Sequence, residues 1–160
     1  MRMAIAALPR VKQLAPKAHL CVYGLYAPMN ETLLRSLGVG TVLGGEVEPA
    51  MVSLCRRLRQ SGAASAQTEP VTSLAKVRFE VPDRSGLPQL ARYAHLVLPD
   101  GSTTRVAGFA EGSRGCKHLC RHCPVVPVYA GKFRIVPAEV VLEDIRQQVE
   151  QGASHISFGD

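Results

Sequence analysis

Tryptophan is absent from these 160 residues, and aromatic side chains make up only 5% of them. No run of five basic residues occurs either, although Lys and Arg outnumber Asp and Glu by 19 to 13 and leave a net charge of +6. Charge scattered in this way favours anionic partners in general and argues against a nucleic-acid-binding tract. No stretch approaches the roughly 20 apolar residues of a membrane span, which argues against a membrane partner. The apolar run MAIAAL near the start is too short for a signal peptide and is followed at once by Pro9, Arg10 and Lys12. Five cysteines, three of them crowded into one loop, do not make a secreted disulfide framework; they suit a reducing compartment, and the cytoplasm is the expected location. What is present is ordinary globular usage, 46% hydrophobic and 20% charged, in a chain long enough for one domain or two small ones.

The first part reads as alternating strands and helices. AHLCVYGLY (18–26) suits a buried strand, and NETLLRSLG opens on Asn30 as a helix N-cap and closes on Gly38. VGTVLGG reads as a second strand; VEPAMVSLCRRLRQSG, with Ala50, Leu54 and Leu58 at helical spacing, reads as a second helix. Strands alternating with helices imply a parallel sheet, with ligands expected beyond the strand ends, at 24–30 and 44–46. Residues 61–76 lose periodicity and read as a linker, which separates a first α/β segment (1–60) from a second region (77–160). In the second region the turn signal Pro99-Asp100-Gly101 predicts a hairpin. PAEVVLEDIRQQVEQG predicts a helix with Ala138, Val141, Leu142, Ile145 and Val149 on its apolar stripe, and SHISFGD starts another strand.

Between that hairpin and that helix lies SRGCKHLCRHCPVVPVY, with Cys116, Cys120 and Cys123 spaced as CxxxCxxC. Three soft thiolates select zinc, copper or an iron–sulfur cluster. Zinc wants four ligands, normally as two separated pairs, so His118, His122 or a distant residue would have to complete it. A cubane cluster held by three cysteines keeps one iron open, and an open position on a metal is a place for a substrate or cofactor. Cys21 and Cys55 read as small buried hydrophobes, His19 and His95 as surface or satisfied residues, and Arg56, Arg57 and Arg59 as the wet face of a helix. Arg114 and Lys117 flank the loop, where they are solvated or offset cluster charge, and Glu46 reads as a cap for the following helix.

CxxxCxxC after a first strand and before a first helix is the signature of the radical S-adenosylmethionine superfamily. Residues 111–160 resemble the radical domain of the CUAEP/CCAEP-tail radical S-adenosylmethionine proteins, and the stretch before the linker resembles the second half of a cobalamin-binding-like domain. The resemblance implies an α/β fold: an incomplete cobalamin-binding-like, Rossmann-like segment followed by the first strands and helix of a partial (β/α) barrel, cut after its second strand. It implies that Cys116, Cys120 and Cys123 ligate a 4Fe–4S cluster whose open iron takes S-adenosylmethionine. The reduced cluster would cleave that cofactor to a 5′-deoxyadenosyl radical. His122, Gly159 and Asp160 fall where the family contacts the cofactor, and a flavodoxin- or ferredoxin-type electron donor is implied as partner. The substrate, small molecule or peptide, and the catalytic residues are not readable. Cobalamin is a weaker expectation, because the Asp-x-His-x-x-Gly that supplies the cobalt's axial histidine is missing. The alternative is a small zinc-stabilised binding module with a basic surface for a nucleic-acid or protein partner.

Overall fold

A computed structural model describes residues 2–61 and 66–159, and these fall into two compact units. The first comprises the chain up to Val77 together with His118–Gly131; the second comprises Arg78–Lys117 and the chain from Lys132 onward. Among the described residues no helix is long and apolar enough to cross a membrane.

The first unit opens with helix α1 (Arg2–Leu14), which runs through Pro9 and buries Leu8. Strand β1 (Cys21–Tyr23) follows, shorter than the apolar run around it, then a 3-10 turn at Pro28–Asn30 and helix α2 (Glu31–Ser36). Asn30 is the residue before α2, but its side chain donates back to the Tyr26 carbonyl at 2.8 Å instead of capping the helix. Strand β2 (Thr41–Gly45) pairs parallel to β1, with Cys21 opposite Thr41 and Val22 opposite Val42. Helix α3 (Glu48–Ser61) comes next.

The described part of the segment read as a linker adds a strand. β3 (Thr72–Ser73) pairs parallel to β2 and completes the order β1-β2-β3. Gln67 fastens it: its carboxamide accepts from Val42 N–H at 3.0 Å and donates to the Val42 and Glu69 carbonyls at 3.1 and 2.7 Å. At Gly45, φ is +73° and a Cβ would meet the Ser73 carbonyl oxygen at 2.1 Å, so only glycine lets β3 approach.

Both faces of β2 are covered. Val42 packs in a cluster with Leu8, Ala27, Leu34 and Val39, on the face of α1 and α2. Alternation turns Thr41, Leu43 and Cys21 to the other face. There α3 meets β1 through a Cys21 Sγ to Met51 Sδ contact of 3.9 Å.

The second unit begins with an extended stretch and a 3-10 turn (Leu90–Arg92), followed by the expected hairpin. Strands β4 (Ala94–Val97) and β5 (Thr104–Glu111) pair antiparallel, Ala94 opposite Ala107. Asp100 pins the turn by accepting from the Thr103 N–H at 2.9 Å and hydroxyl at 2.6 Å. Strands β6 (Ser113–Gly115) and β7 (Phe133–Ile135) form a separate antiparallel ribbon. Helix α5 (Ala138–Glu150) then leads into β8 (His155–Gly159), which lies parallel to β5. The order β4-β5-β8 therefore contains one β–α–β crossover.

The buried face of α5 is not its apolar stripe. Asp144 and Gln148 are inside, whereas Leu142 and Val149 are 60% and 53% exposed. Bidentate pairing of Arg84 with Asp144, at 2.6 and 3.0 Å, turns the polar side of the helix inward.

Candidate functional site

The cysteine loop leaves the sheet at the end of β5, and its two ends are held together by the β6–β7 ribbon, with Arg114 opposite Arg134 and Gly115 opposite Phe133. Val136 N–H adds a bond to the Gly112 carbonyl at 3.1 Å. Arg114 donates to Glu111 at 2.8 Å and lies 5.0 Å from the Phe79 ring centroid, while the Lys117 ammonium lies 5.7 Å from that of Phe133. Each flanking cation thus sits on an aromatic face at the loop's base.

Within the loop, Cys123 N–H donates to the Cys120 carbonyl and Val126 N–H to the Cys123 carbonyl, at 3.2 and 3.3 Å. These turns run into a single helical turn α4 (Val126–Tyr129), which lies against β2 and buries Val128 and Tyr129. It closes on Ala130 in the left-handed region, φ +49°, followed by Gly131 at φ +80°.

Cys116 and Cys123 are half-buried and Cys120 is exposed, and none of them is in a disulfide. Cys116 belongs to the second unit, Cys120 and Cys123 to the first. Among the described residues no three His, Cys, Asp or Glu side chains gather as ligands of one metal ion. The donor chemistry nevertheless fits an iron–sulfur cluster, whose thiolates each bind a different iron and so need not meet at one point. His118 and His122 are both exposed on the loop. Gly159 ends β8, opposite Glu111, and a Cβ there would come 2.4 Å from the Phe109 ring. Asp160 lies outside the described residues.

Beside the ribbon, a cleft of about 220 Å³ is lined by Phe79, Arg84, Phe109, Glu111, Arg114 and Asp144. Both of its guanidinium groups are already engaged by carboxylates, Arg84 by Asp144 and Arg114 by Glu111. Sequence reasoning missed Arg84, Asp144 and Gln148, and nothing in the local pattern distinguishes Gln148 from its neighbour Gln147. In the first unit, one of the two strand ends where a ligand was expected is closely packed, since a Cβ on Gly44 would meet Pro28 Cγ at 2.2 Å, whereas a Cβ on Gly24 would meet nothing within 4 Å.

No family model matches the chain, and no solved structure does. The chain is similar to mitochondrial tRNA methylthiotransferase CDK5RAP1 of Rattus norvegicus, 29% identical over 66 residues, which cover 41% of this chain and 11% of that protein. It is also 30% identical over 61 residues to the tRNA-2-methylthio-N(6)-dimethylallyladenosine synthase of Malacoplasma penetrans, covering 38% of this chain and 12% of that one. The match spans about a tenth of the length of these curated relatives.

Proposed function

We propose that the CxxxCxxC segment and the parallel β–α–β elements that flank it in the chain are the cluster-binding start of a radical S-adenosylmethionine protein. The observation that carries this reading is the position of CxxxCxxC, clamped by a ribbon between the first strand and the helix of a parallel β–α–β unit. The partial similarity to tRNA methylthiotransferases, themselves radical S-adenosylmethionine enzymes, supports the superfamily.

Cys116, Cys120 and Cys123 would hold a 4Fe–4S cluster, and Gly159, with His122 and Asp160, would face its cofactor. The bound cluster and S-adenosylmethionine supply reductive cleavage to a 5′-deoxyadenosyl radical. The chain's own part is to fix the loop: the ribbon, the Gly112 carbonyl and the cation–aromatic contacts restrict it before any ligand binds, which lowers the ordering cost of binding. We read the first unit as a cobalamin-binding-like segment, with Pro28 packed against Gly44 at its strand end.

Anaerobic reconstitution with iron and sulfide tests the reading. About four irons per chain are expected, lost on replacing Cys116, Cys120 or Cys123 by alanine, with a change in the reduced spectrum on adding S-adenosylmethionine. One zinc per chain with no iron retained would overturn it in favour of a zinc-stabilised module.

A further inference from the structure

The two cysteines that the cluster reading leaves unused each lie beside the same methionine in the first unit. Cys21 sits at the start of β1, half-buried, its Sγ 3.9 Å from the Sδ of Met51 on α3. Cys55 follows Met51 by four residues on the same helix, which places their Cβ atoms roughly 5–6 Å apart on one face. Met51 and Cys55 line the same open cleft, of about 460 Å³, together with Val52, Arg56 and Arg59. We propose that Cys21, Met51 and Cys55 form a binding site for a soft monovalent cation, Cu(I), independent of the cysteine loop.

The geometry already suits an ion. Metal–sulfur bonds of about 2.3 Å put two sulfurs on one centre about 3.8 Å apart in a tetrahedral site and about 4.0 Å in a trigonal one. The observed 3.9 Å between Cys21 and Met51 lies between those limits, so these two ligands bridge an ion without backbone movement. Burial pushes the Cys21 thiol up, and the charge of Cys55 adds to this. Binding the ion displaces the thiol protons and leaves both cysteines as thiolate ligands.

The donor set then chooses the metal. Two thiolates with no imidazole exclude magnesium and calcium, and the thioether, which is not among the Cys, His, Asp and Glu ligands that zinc takes, favours Cu(I) over zinc. Glu69, a carboxylate whose charge acts on Cys21, is occupied: Arg57 donates to it at 2.9 Å and the Ser53 hydroxyl at 3.2 Å. A Cu(I) bound by two thiolates carries one net negative charge, and Arg56 and Arg59 line the cleft to offset it. Cys55 is exposed, so the ion has a route in from solvent.

The test uses the full chain with Cys116, Cys120 and Cys123 replaced by serine, so that its outcome does not depend on the cluster reading. The chain is loaded anaerobically with Cu(I) in competition with a chromogenic Cu(I) chelator. One copper per chain is expected, and Cys21→Ser or Cys55→Ser should weaken binding by at least about a hundredfold, the upper end of what losing a mere supporting group costs. Met51→Leu conserves volume and hence the fold, and should weaken binding about tenfold; far-UV circular dichroism confirms that each variant is folded. Equal copper affinity in the parent and in Cys55→Ser or Met51→Leu overturns the site. So does a parent chain that takes up no copper while both thiols still react with a thiol reagent, or that forms a Cys21–Cys55 disulfide in its place.

Discussion

Gln148 and Gly108 should behave as one unit. Gln148 is fully buried, and its carboxamide accepts from Phe109 N–H and donates to the Phe109 carbonyl, each at 2.8 Å. Those backbone groups point to the side of β5 where β4 has already ended, its last pair being Ala94 with Ala107. The amide therefore stands in for a missing strand. It can enter because Gly108 has no side chain: a Cβ there would lie 2.5 Å from Gln148 Oε1.

Gln148→Ala strands one buried donor and one acceptor, at about 1–3 kcal/mol each, so a loss of about 3 kcal/mol in unfolding free energy is expected. Gly108→Ala should cost a similar amount by evicting the same amide. With Gln148 already truncated the new methyl's closest neighbour is Ile156 Cδ1, at 2.7 Å, the far end of a side chain that can turn aside, so the double variant should be little worse than Gln148→Ala alone. The coupling between the two sites is then about 2 kcal/mol, well above the roughly 0.5 kcal/mol seen for independent positions. Urea unfolding of the four chains measures it, and amide hydrogen exchange at Phe109 gives a local readout, with protection lost in both single variants. Additive costs, or a Phe109 amide still protected in Gln148→Ala, would refute the reasoning.

Arg84→Met removes the bidentate partner of Asp144, whose side chain is only 8% exposed, and should cost about 3–5 kcal/mol. Arg84→Met with Asp144→Leu should recover most of it, and a single variant within about 1 kcal/mol of the parent would deny the pair its role. Glu69 is buried, which raises its pKa, but the hydrogen bonds and charge of Arg57 outweigh this and hold it at about 2, below the ordinary 4.5. A depressed folded pKa gives stability that is complete above pH 4.5 and lost as pH falls towards 2; it amounts to about 3 kcal/mol. Acid titration of stability should show that limb flattened in Glu69→Gln, and an unchanged slope would assign it to other groups. Ala130 holds a left-handed conformation at φ +49°, so Ala130→Gly should stabilise the chain by about 1 kcal/mol, seen as a higher Tm. A lower Tm would mean that the strain is not released there.

Much of the local order was legible because its signals are local. The turn at Pro99-Asp100-Gly101, the span of α5 and the place of the cysteine loop each follow from a few adjacent residues. What stayed hidden depends on partners far along the chain. β3 is two residues long and is fixed by Gln67, which lies in a stretch with no periodicity. Cys55 was read as a buried hydrophobe and is exposed, because α3 turns Leu54 to the core instead.

The rotation of α5 carries the general lesson. Periodicity finds the face of a helix that is apolar, on the premise that the apolar face is the one to be buried. A strand whose neighbour ends early presents a different demand, since its bare N–H and C=O groups must be hydrogen-bonded before anything can be packed over them. Here β4 stops short of Phe109, and the element laid over that gap has to bring donors and acceptors, which Gln148 and the Arg84–Asp144 pair supply. Topology set the orientation of the helix, through Arg84 sixty positions away from Asp144. The exposed Leu142 and Val149 follow from that choice, being the residues that the polar face displaced.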